Sequence, residues 1–253
     1  MTYERNYLSQ VLVRVDLAEP IPWTETLPRE ILAAARAGFP IVETSPYLEG
    51  GVAIRADESG GHVEHLERPI RTEWAFTSAE QNRQLRIGPT YLLVVCGKFQ
   101  SYSGSLAGVL EPVWSAVLDK TGDLPTRRLG LRYVNNLPQL DDSRDVLDWT
   151  NVVKKRICSL LSVPNPEEAL TRGIGIAEYN FGDCMLRFQF GMPNPDYPSP
   201  LRQKMFLLDY DCYLETPVES SEVMPVLDSL KGRIEAMFEA SITPAFRKHL
   251  EGA

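Results

Sequence analysis

The sequence predicts an α+β fold: a mainly antiparallel sheet with helices packed on one face and a long helix at the C-terminal end. Runs in which apolar and polar residues alternate recur along the chain, as in strands that bury one side. Two longer stretches place apolar residues at three- and four-residue intervals, as in helices that cover a sheet. We expect one domain over residues 1–253, with subdomains at 1–140 and 141–253.

The composition is that of an ordinary globular chain. Hydrophobic residues make up 43% of the 253 residues and charged residues 24%, so a substantial core is expected. The net charge of −8 argues against a protein that binds nucleic acid on its own, since such binding leaves a basic footprint. No stretch reaches the roughly 18 apolar residues of a membrane span, and the first residues lack an apolar signal region. We therefore expect a cytoplasmic location and no membrane contact.

The first elements are a strand and a short helix. A strand is predicted over 10–17, where every second residue is Val or Leu. The segment "PREILAAARAGFP" predicts a helix, with proline near its start and glycine just past its end. Residues 44–68 hold two glycine pairs and many charges, which predicts a long loop or an extra hairpin.

A hairpin and the strongest helical signal follow. The alternation in "IRTEWAF" and in "YLLVVCGKF" predicts an antiparallel hairpin whose second arm is interrupted at Gly88-Pro89. Apolar residues then recur with helical spacing over 106–118. Pro112 lies inside this helix and predicts a kink, eased by Gly108 one turn earlier.

The segment "RRLGLRYVNNL" is a strand with an unusual number of polar residues. Its alternation predicts one buried face with Leu129, Leu131 and Tyr133, and an opposite face with Arg128, Gly130, Arg132 and Val134. The order up to this point is strand, helix, strand, strand, helix, strand, which is the order of a ferredoxin-like unit. A helix over 145–161, three further strands and a helix from about Ser221 make the second half a candidate diverged copy.

The polar sides of the strands form the candidate binding surface. Alternation and residue type assign eight residues to it: Arg14, Arg128, Arg132, Tyr133, Asn135, Arg187, Asp209 and Asp211. Such residues are cross-strand ion pairs on a solvated sheet face in one interpretation. In the other, they bind a partner or an anionic ligand; no catalytic residue is assigned.

The sequence contains one candidate metal site and no motif for a disulfide framework or a cofactor. His62 and His65 are a metal candidate because His-x-x-His places two imidazoles on one face of a helix, although a solvated loop is the alternative. The four cysteines lie far apart with no CxxC pair, so neither a thiolate metal site nor a disulfide framework is expected. No nucleotide-binding fingerprint is present, and we expect no cofactor.

Three motifs carry a family resemblance. They are Trp-x-Phe at residues 74–76, Arg-x-Gly-Leu-Arg-Tyr-x-Asn at 128–135 and Phe-Glu-x-x-Ile-Thr at 238–243. With them the chain from Trp74 onward resembles a sporadically distributed, functionally uncharacterised family of bacterial and archaeal proteins of about 250 residues. The resemblance brings no catalytic residues, and the patchy occurrence of that family implies mobile or defence-associated gene neighbourhoods.

These observations lead to three functional expectations. The first is a non-enzymatic protein-interaction module, such as an antitoxin-like or defence-associated regulatory protein, whose partner is another protein and which could form a homo-oligomer. The second is a ligand- or RNA-binding enzyme with a cleft between the polar sheet face and the C-terminal helix; its wall would hold Arg128, Arg132, Tyr133, Asn135 and Asp209. The third is a ligand-binding fold in which the C-terminal helix grips a curved sheet.

Overall fold

The predicted α+β architecture with a large antiparallel sheet is confirmed. The computed structural model describes residues 3–22, 27–35, 38–47, 52–57, 60–65, 71–97, 99, 101–141, 145–161 and 170–252. Nine strands form one sheet in the order β2-β5-β6-β7-β1-β8-β11-β10-β9, and every neighbouring pair is antiparallel. The strands are β1 Leu8–Leu17, β2 Ile41–Tyr47, β3 Val52–Asp57, β4 Gly60–His65, β5 Arg71–Thr77, β6 Arg83–Ile87, β7 Tyr91–Cys96, β8 Thr126–Pro138, β9 Gly173–Asn180, β10 Met185–Met192 and β11 Met205–Leu214.

The helices include the long C-terminal helix that the sequence predicts. They are α1 Leu27–Ala35, α2 Gly108–Thr121, α3 Lys155–Cys158, α4 Val223–Ser241 and α5 Pro244–Leu250. Thr243 caps α5, because its side chain accepts a hydrogen bond from the Phe246 amide. None of the helices in the described part of the chain is long and apolar enough to cross a membrane.

The alternation in β8 sets the two faces of the sheet, as predicted. Leu129, Leu131 and Tyr133 are buried, whereas Arg132 is exposed. The register continues this division into β1 and β11, where Val11 and Tyr210 lie beside Tyr133. Helix α4 packs on β8 and β11. We call the side with Leu129 and Tyr133 the helix face, and the side with Arg128 and Arg132 the polar face.

The two predicted ferredoxin-like halves are not confirmed. Such a unit has two strands between its two helices, whereas the six strands β2 to β7 lie between α1 and α2. The segment predicted as one interrupted arm is in fact two strands, β6 and β7, which pair with each other. The chain reverses at Gly88, whose amide donates to the Tyr91 carbonyl at 2.9 Å, and this extra reversal changes the direction of β7.

The helix predicted over 145–161 is reduced to α3 and a short 3-10 turn. Two aspartates account for the difference. Asp145 Oδ1 accepts from the Leu147 amide at 2.7 Å, and Asp148 Oδ1 accepts from the Thr150 amide at 3.1 Å. Hydrogen bonds of this local kind compete with helix formation. The segment therefore forms turns, and its apolar residue Trp149 packs against Phe206.

Residues 44–68 contain the hairpin that was one of the two predictions for them, since β3 pairs antiparallel with β4.

In α2, Pro112 follows a π-helical turn over Ser103–Ala107. A Cβ atom on Gly108 would lie 2.7 Å from the Ser103 carbonyl oxygen. Only glycine fits at that position, and the kink at Pro112 stays a prediction.

Candidate functional site

A pocket of about 620 Å³ lies on the helix face. Its walls are β8, α4, the segment around Ser101–Ser103 and residues 3–7, which we call the N-terminal strap. The volume is within the range of small-molecule sites, and the strap closes a side that sheet and helix alone would leave open.

Tyr133 and Asn135 form the floor of the pocket on β8. They are two residues apart in a strand and therefore share a face. The Asn135 amide donates to the Leu208 carbonyl at 3.2 Å. The Tyr133 hydroxyl is buried, and no hydrogen-bond partner for it lies among the described residues. Burial is the main cause that raises the pKa of this phenol far above its ordinary value, with the Glu235 carboxylate as a second cause.

The α4 wall carries charges that are paired. Lys231 lies 3.2 Å from Glu235, one turn further along the helix. Glu239 accepts a hydrogen bond from Arg247 Nε at 2.8 Å and another from the Tyr3 hydroxyl. Both carboxylates, Glu235 and Glu239, therefore already have ion-pair or hydrogen-bond partners at the rim of the pocket.

The N-terminal strap is fastened to α5. The Arg5 amide donates to the Leu250 carbonyl at 3.0 Å, and its guanidinium donates to His249 Nδ1 at 2.7 Å. The Tyr7 hydroxyl lies 2.8 Å from His249 Nε2, and the two rings stack with centroids 5.9 Å apart. Burial, followed by the charge of Arg5, lowers the pKa of His249 from its ordinary value.

The remaining lining is mostly apolar and aromatic. It comprises Leu8, Phe99, Tyr102, Ile234, Phe238 and Leu250. The Phe99 and Tyr133 rings pack with centroids 5.6 Å apart. An apolar body with a few directional polar groups is typical of pockets that hold small organic molecules.

The eight residues predicted as one binding surface are divided between the two faces of the sheet. Tyr133 and Asn135 lie in the pocket on the helix face. The other six follow the opposite parity of their strands and lie on the polar face: Arg14, Arg128, Arg132, Arg187, Asp209 and Asp211. The cleft was predicted between the polar face and the C-terminal helix, whereas the pocket lies between the helix face and α4, and Arg128, Arg132 and Asp209 are not part of its wall.

On the polar face the arginines pair with aspartates, across strands for Arg128 and Arg132 and within β1 for Arg14. Arg132 donates to both carboxylate oxygens of Asp209, at 2.8 and 2.6 Å. These hydrogen bonds stabilise the charged guanidinium and raise the pKa of Arg132. Arg14 reaches Asp16 at 2.8 Å. Arg128 lies 3.6 Å from Asp211 and 4.6 Å from the Tyr213 ring centroid. These contacts favour the cross-strand interpretation, because the charges are neutralised within the molecule.

Sequence patterns did not indicate the residues that close the pocket. Tyr7 and His249 are 242 residues apart, and neither belongs to a motif of catalytic or binding spacing. The one usable signal is aromatic: the strap "YERNY" carries two tyrosines with no apolar alternation around them.

The metal candidate stays a prediction. Residues 60–65 form strand β4, so the helical spacing that His-x-x-His requires is absent there. The side chains of His62 and His65 lie outside the described part of the structure. Among the residues that the structure does describe, no group of three or more His, Cys, Asp or Glu side chains could hold a metal ion.

Comparisons with known proteins add no functional information. No family model matches the chain, and no curated protein matches it. The solved chain described as "Structure of crystal form III of TP0453" aligns over 88% of this chain and 95% of that chain, at 12% identity and a TM-score of 0.13. That score supports no inference about fold or function.

Proposed function

We propose that this protein binds a small, largely apolar or aromatic molecule in the pocket between β8, α4 and the N-terminal strap. The observation that carries the proposal is the buried Tyr133 hydroxyl at the floor of the pocket, for which the described residues provide no hydrogen-bond partner. A buried hydroxyl left unpaired costs about 1–3 kcal/mol. A ligand that pairs with it would recover that free energy on binding.

A fluorescent probe and a variant that fills the pocket test this proposal. N-phenylnaphthylamine is apolar and fluoresces strongly only when it leaves water, so the parent protein should enhance its emission at saturable, micromolar concentrations. Ser103→Trp should weaken binding at least tenfold, because Ser103 lines the pocket yet is exposed and a larger side chain can enter without disturbing the core. The matched control is Ser115→Trp on the exposed side of α2, outside the pocket. Equal binding by parent and Ser103→Trp would contradict the proposal.

Interaction with another protein is the second candidate function, and strand β9 favours it. This strand ends the sheet, and Ile176 and Tyr179 on it are 54% and 39% exposed. Edge strands are usually protected by charges or proline, whereas Glu178 is the one charged residue of Gly173–Asn180. We propose a second copy of this chain as the partner, since two such edges can pair antiparallel with little charge repulsion.

Sedimentation velocity over a range of concentrations tests this second candidate. The parent should form a dimer at micromolar concentration, and Ile176→Lys should shift the equilibrium to monomer. Ile41→Lys is the matched control, because Ile41 is 37% exposed on the opposite edge strand β2. A parent that stays monomeric, or a dimer that persists in Ile176→Lys, would rule out pairing through β9.

A further inference from the structure

We infer that the ligand of the pocket is a neutral molecule with an aromatic or apolar body and a carbonyl oxygen, which Tyr7 and Tyr133 bind as hydrogen-bond donors. This inference rests on the proposed function and gives the chemical class of the ligand. It follows from the direction of the hydrogen bonds in the strap and from the charges around the pocket.

The hydrogen bonds of His249 fix its tautomer. A guanidinium has no acceptor atoms, so in the 2.7 Å contact with Arg5 the Nδ1 atom of His249 must be the acceptor. The proton of the neutral imidazole is then on Nε2. Because Nε2 lies 2.8 Å from the Tyr7 hydroxyl, it donates to the Tyr7 oxygen.

This arrangement leaves the Tyr7 proton unused. The hydroxyl oxygen accepts from His249, and within the described residues no acceptor for its own proton is found. Tyr7 lines the same pocket as Tyr133, whose hydroxyl has no partner at all in the described part. Tyr7 and Tyr133 therefore each have a phenol proton that calls for an acceptor.

The charges around the pocket disfavour an anionic acceptor. The lining residues include three carboxylates, Glu4, Glu235 and Glu239, against two cations, Arg5 and Lys231. Lys231 is paired with Glu235, and Arg5 donates to the neutral imidazole of His249. A carboxylate ligand would add to the excess of negative charge, whereas a ketone, ester or amide oxygen accepts from phenols without adding charge.

Two probes that differ in one group test the inference. Prodan is a neutral naphthalene ketone whose emission shifts to longer wavelength when its carbonyl accepts a hydrogen bond; in the matched compound a methylene replaces the carbonyl. The parent should bind Prodan about three- to tenfold more tightly than the methylene compound, the factor expected for one neutral hydrogen bond. Bound Prodan should also show the long-wavelength shift.

Tyr7→Phe and Tyr133→Phe should each lower the ratio of Prodan affinity to methylene-compound affinity and reduce the emission shift. Tyr179→Phe is the control, because Tyr179 is an exposed tyrosine outside the pocket. If the parent binds both probes equally and the tyrosine variants change nothing, the carbonyl inference fails while the pocket stands. If neither probe binds, the proposed function itself fails.

A direct measurement checks the tautomer. Nitrogen NMR of histidine-labelled protein, with the His249 signals assigned by their loss in His249→Gln, should show a bare Nδ1 and a protonated Nε2. A proton on Nδ1 would overturn the donor assignment of Tyr7.

Discussion

His249 links the two ends of the chain through a contact that depends on its charge. Its Nδ1 atom accepts from Arg5 and its Nε2 atom contacts Tyr7. Protonation of Nδ1 would place an imidazolium against a guanidinium with no acceptor between them. The described structure therefore favours the neutral form, in agreement with the lowered pKa of His249.

A pH dependence follows from this residue. Because the pKa of His249 is lower in the folded than in the unfolded chain, the unfolded state binds more protons between the two values, and stability rises with pH in that window. The contribution is present above the ordinary value of about 6.5 and is lost as pH falls through the folded pKa. Unfolding midpoints of the parent and of His249→Gln, measured from about pH 7.5 to about pH 5, should converge as pH falls. Curves that stay parallel would contradict this assignment.

The unpartnered hydroxyl of Tyr133 gives a second prediction for a single residue. Tyr133→Phe removes a buried hydroxyl that makes no hydrogen bond within the described part of the chain, so the free energy of unfolding should stay constant or rise by about 1 kcal/mol. Tyr7→Phe should lower it, because the contact with His249 is lost. Urea unfolding of both variants measures the difference. A clear loss of stability in Tyr133→Phe would show that its hydroxyl has a structural partner.

Among the elements, α2 is joined by Trp114 to the turn that precedes α4. Its side chain is 3% exposed, and its indole nitrogen donates to the Ser220 carbonyl at 3.0 Å, just before α4 begins. The helix thus combines core packing with a hydrogen bond to the segment that leads into the pocket wall.

Substitutions at Trp114 separate these two contributions. Trp114→Ala should lower the free energy of unfolding by about 3–5 kcal/mol through the cavity it leaves. Trp114→Phe keeps most of the packing and leaves the Ser220 carbonyl without its donor, so a smaller loss of about 1–3 kcal/mol is expected. Chemical denaturation of the three proteins measures both. A Trp114→Ala variant as stable as the parent would show that the helix does not depend on this residue.

How much the sequence predicts depends on the range of the interactions. Alternation in β8 correctly separated Leu131 from Arg132, because side-chain direction in a strand is a local property. It could not reveal that the chain reverses at Gly88, or that Asp148 would form turns in an apolar stretch with helical spacing. The pocket was predicted only in outline, since Tyr7 and His249 meet through tertiary packing of distant segments.

At the scale of the whole molecule, a negative net charge is combined with paired arginines on the polar face. Net charge is −8, and the ion pairs of Arg14, Arg128 and Arg132 on the polar face involve aspartates. Paired arginines release few counterions from a phosphate backbone, and that release supplies most non-specific affinity for nucleic acid.

We therefore predict no tight binding of nucleic acid by the protein alone. Titrations with single- and double-stranded RNA and DNA near physiological salt should show dissociation constants above about 100 μM, the weak limit of non-specific binding. Arg132→Ala should change them little. Submicromolar binding that Arg132→Ala weakens, with a flatter dependence on salt, would contradict the prediction and favour an RNA-binding function for the polar face.

The central place of β1 has a consequence for the order in which the protein is made. Its partners are β7, at Tyr91–Cys96, and β8, from Thr126 onward, so β1 pairs with strands that are synthesised much later than itself. At about 5–20 residues per second, a ribosome needs roughly 6–25 s to deliver both. The hairpins β5–β6 and β6–β7 can form in that time from neighbouring segments. The valine-rich face of β1 meanwhile lacks its final neighbours, so a chaperone that covers β1 until β8 is made would protect it from aggregation.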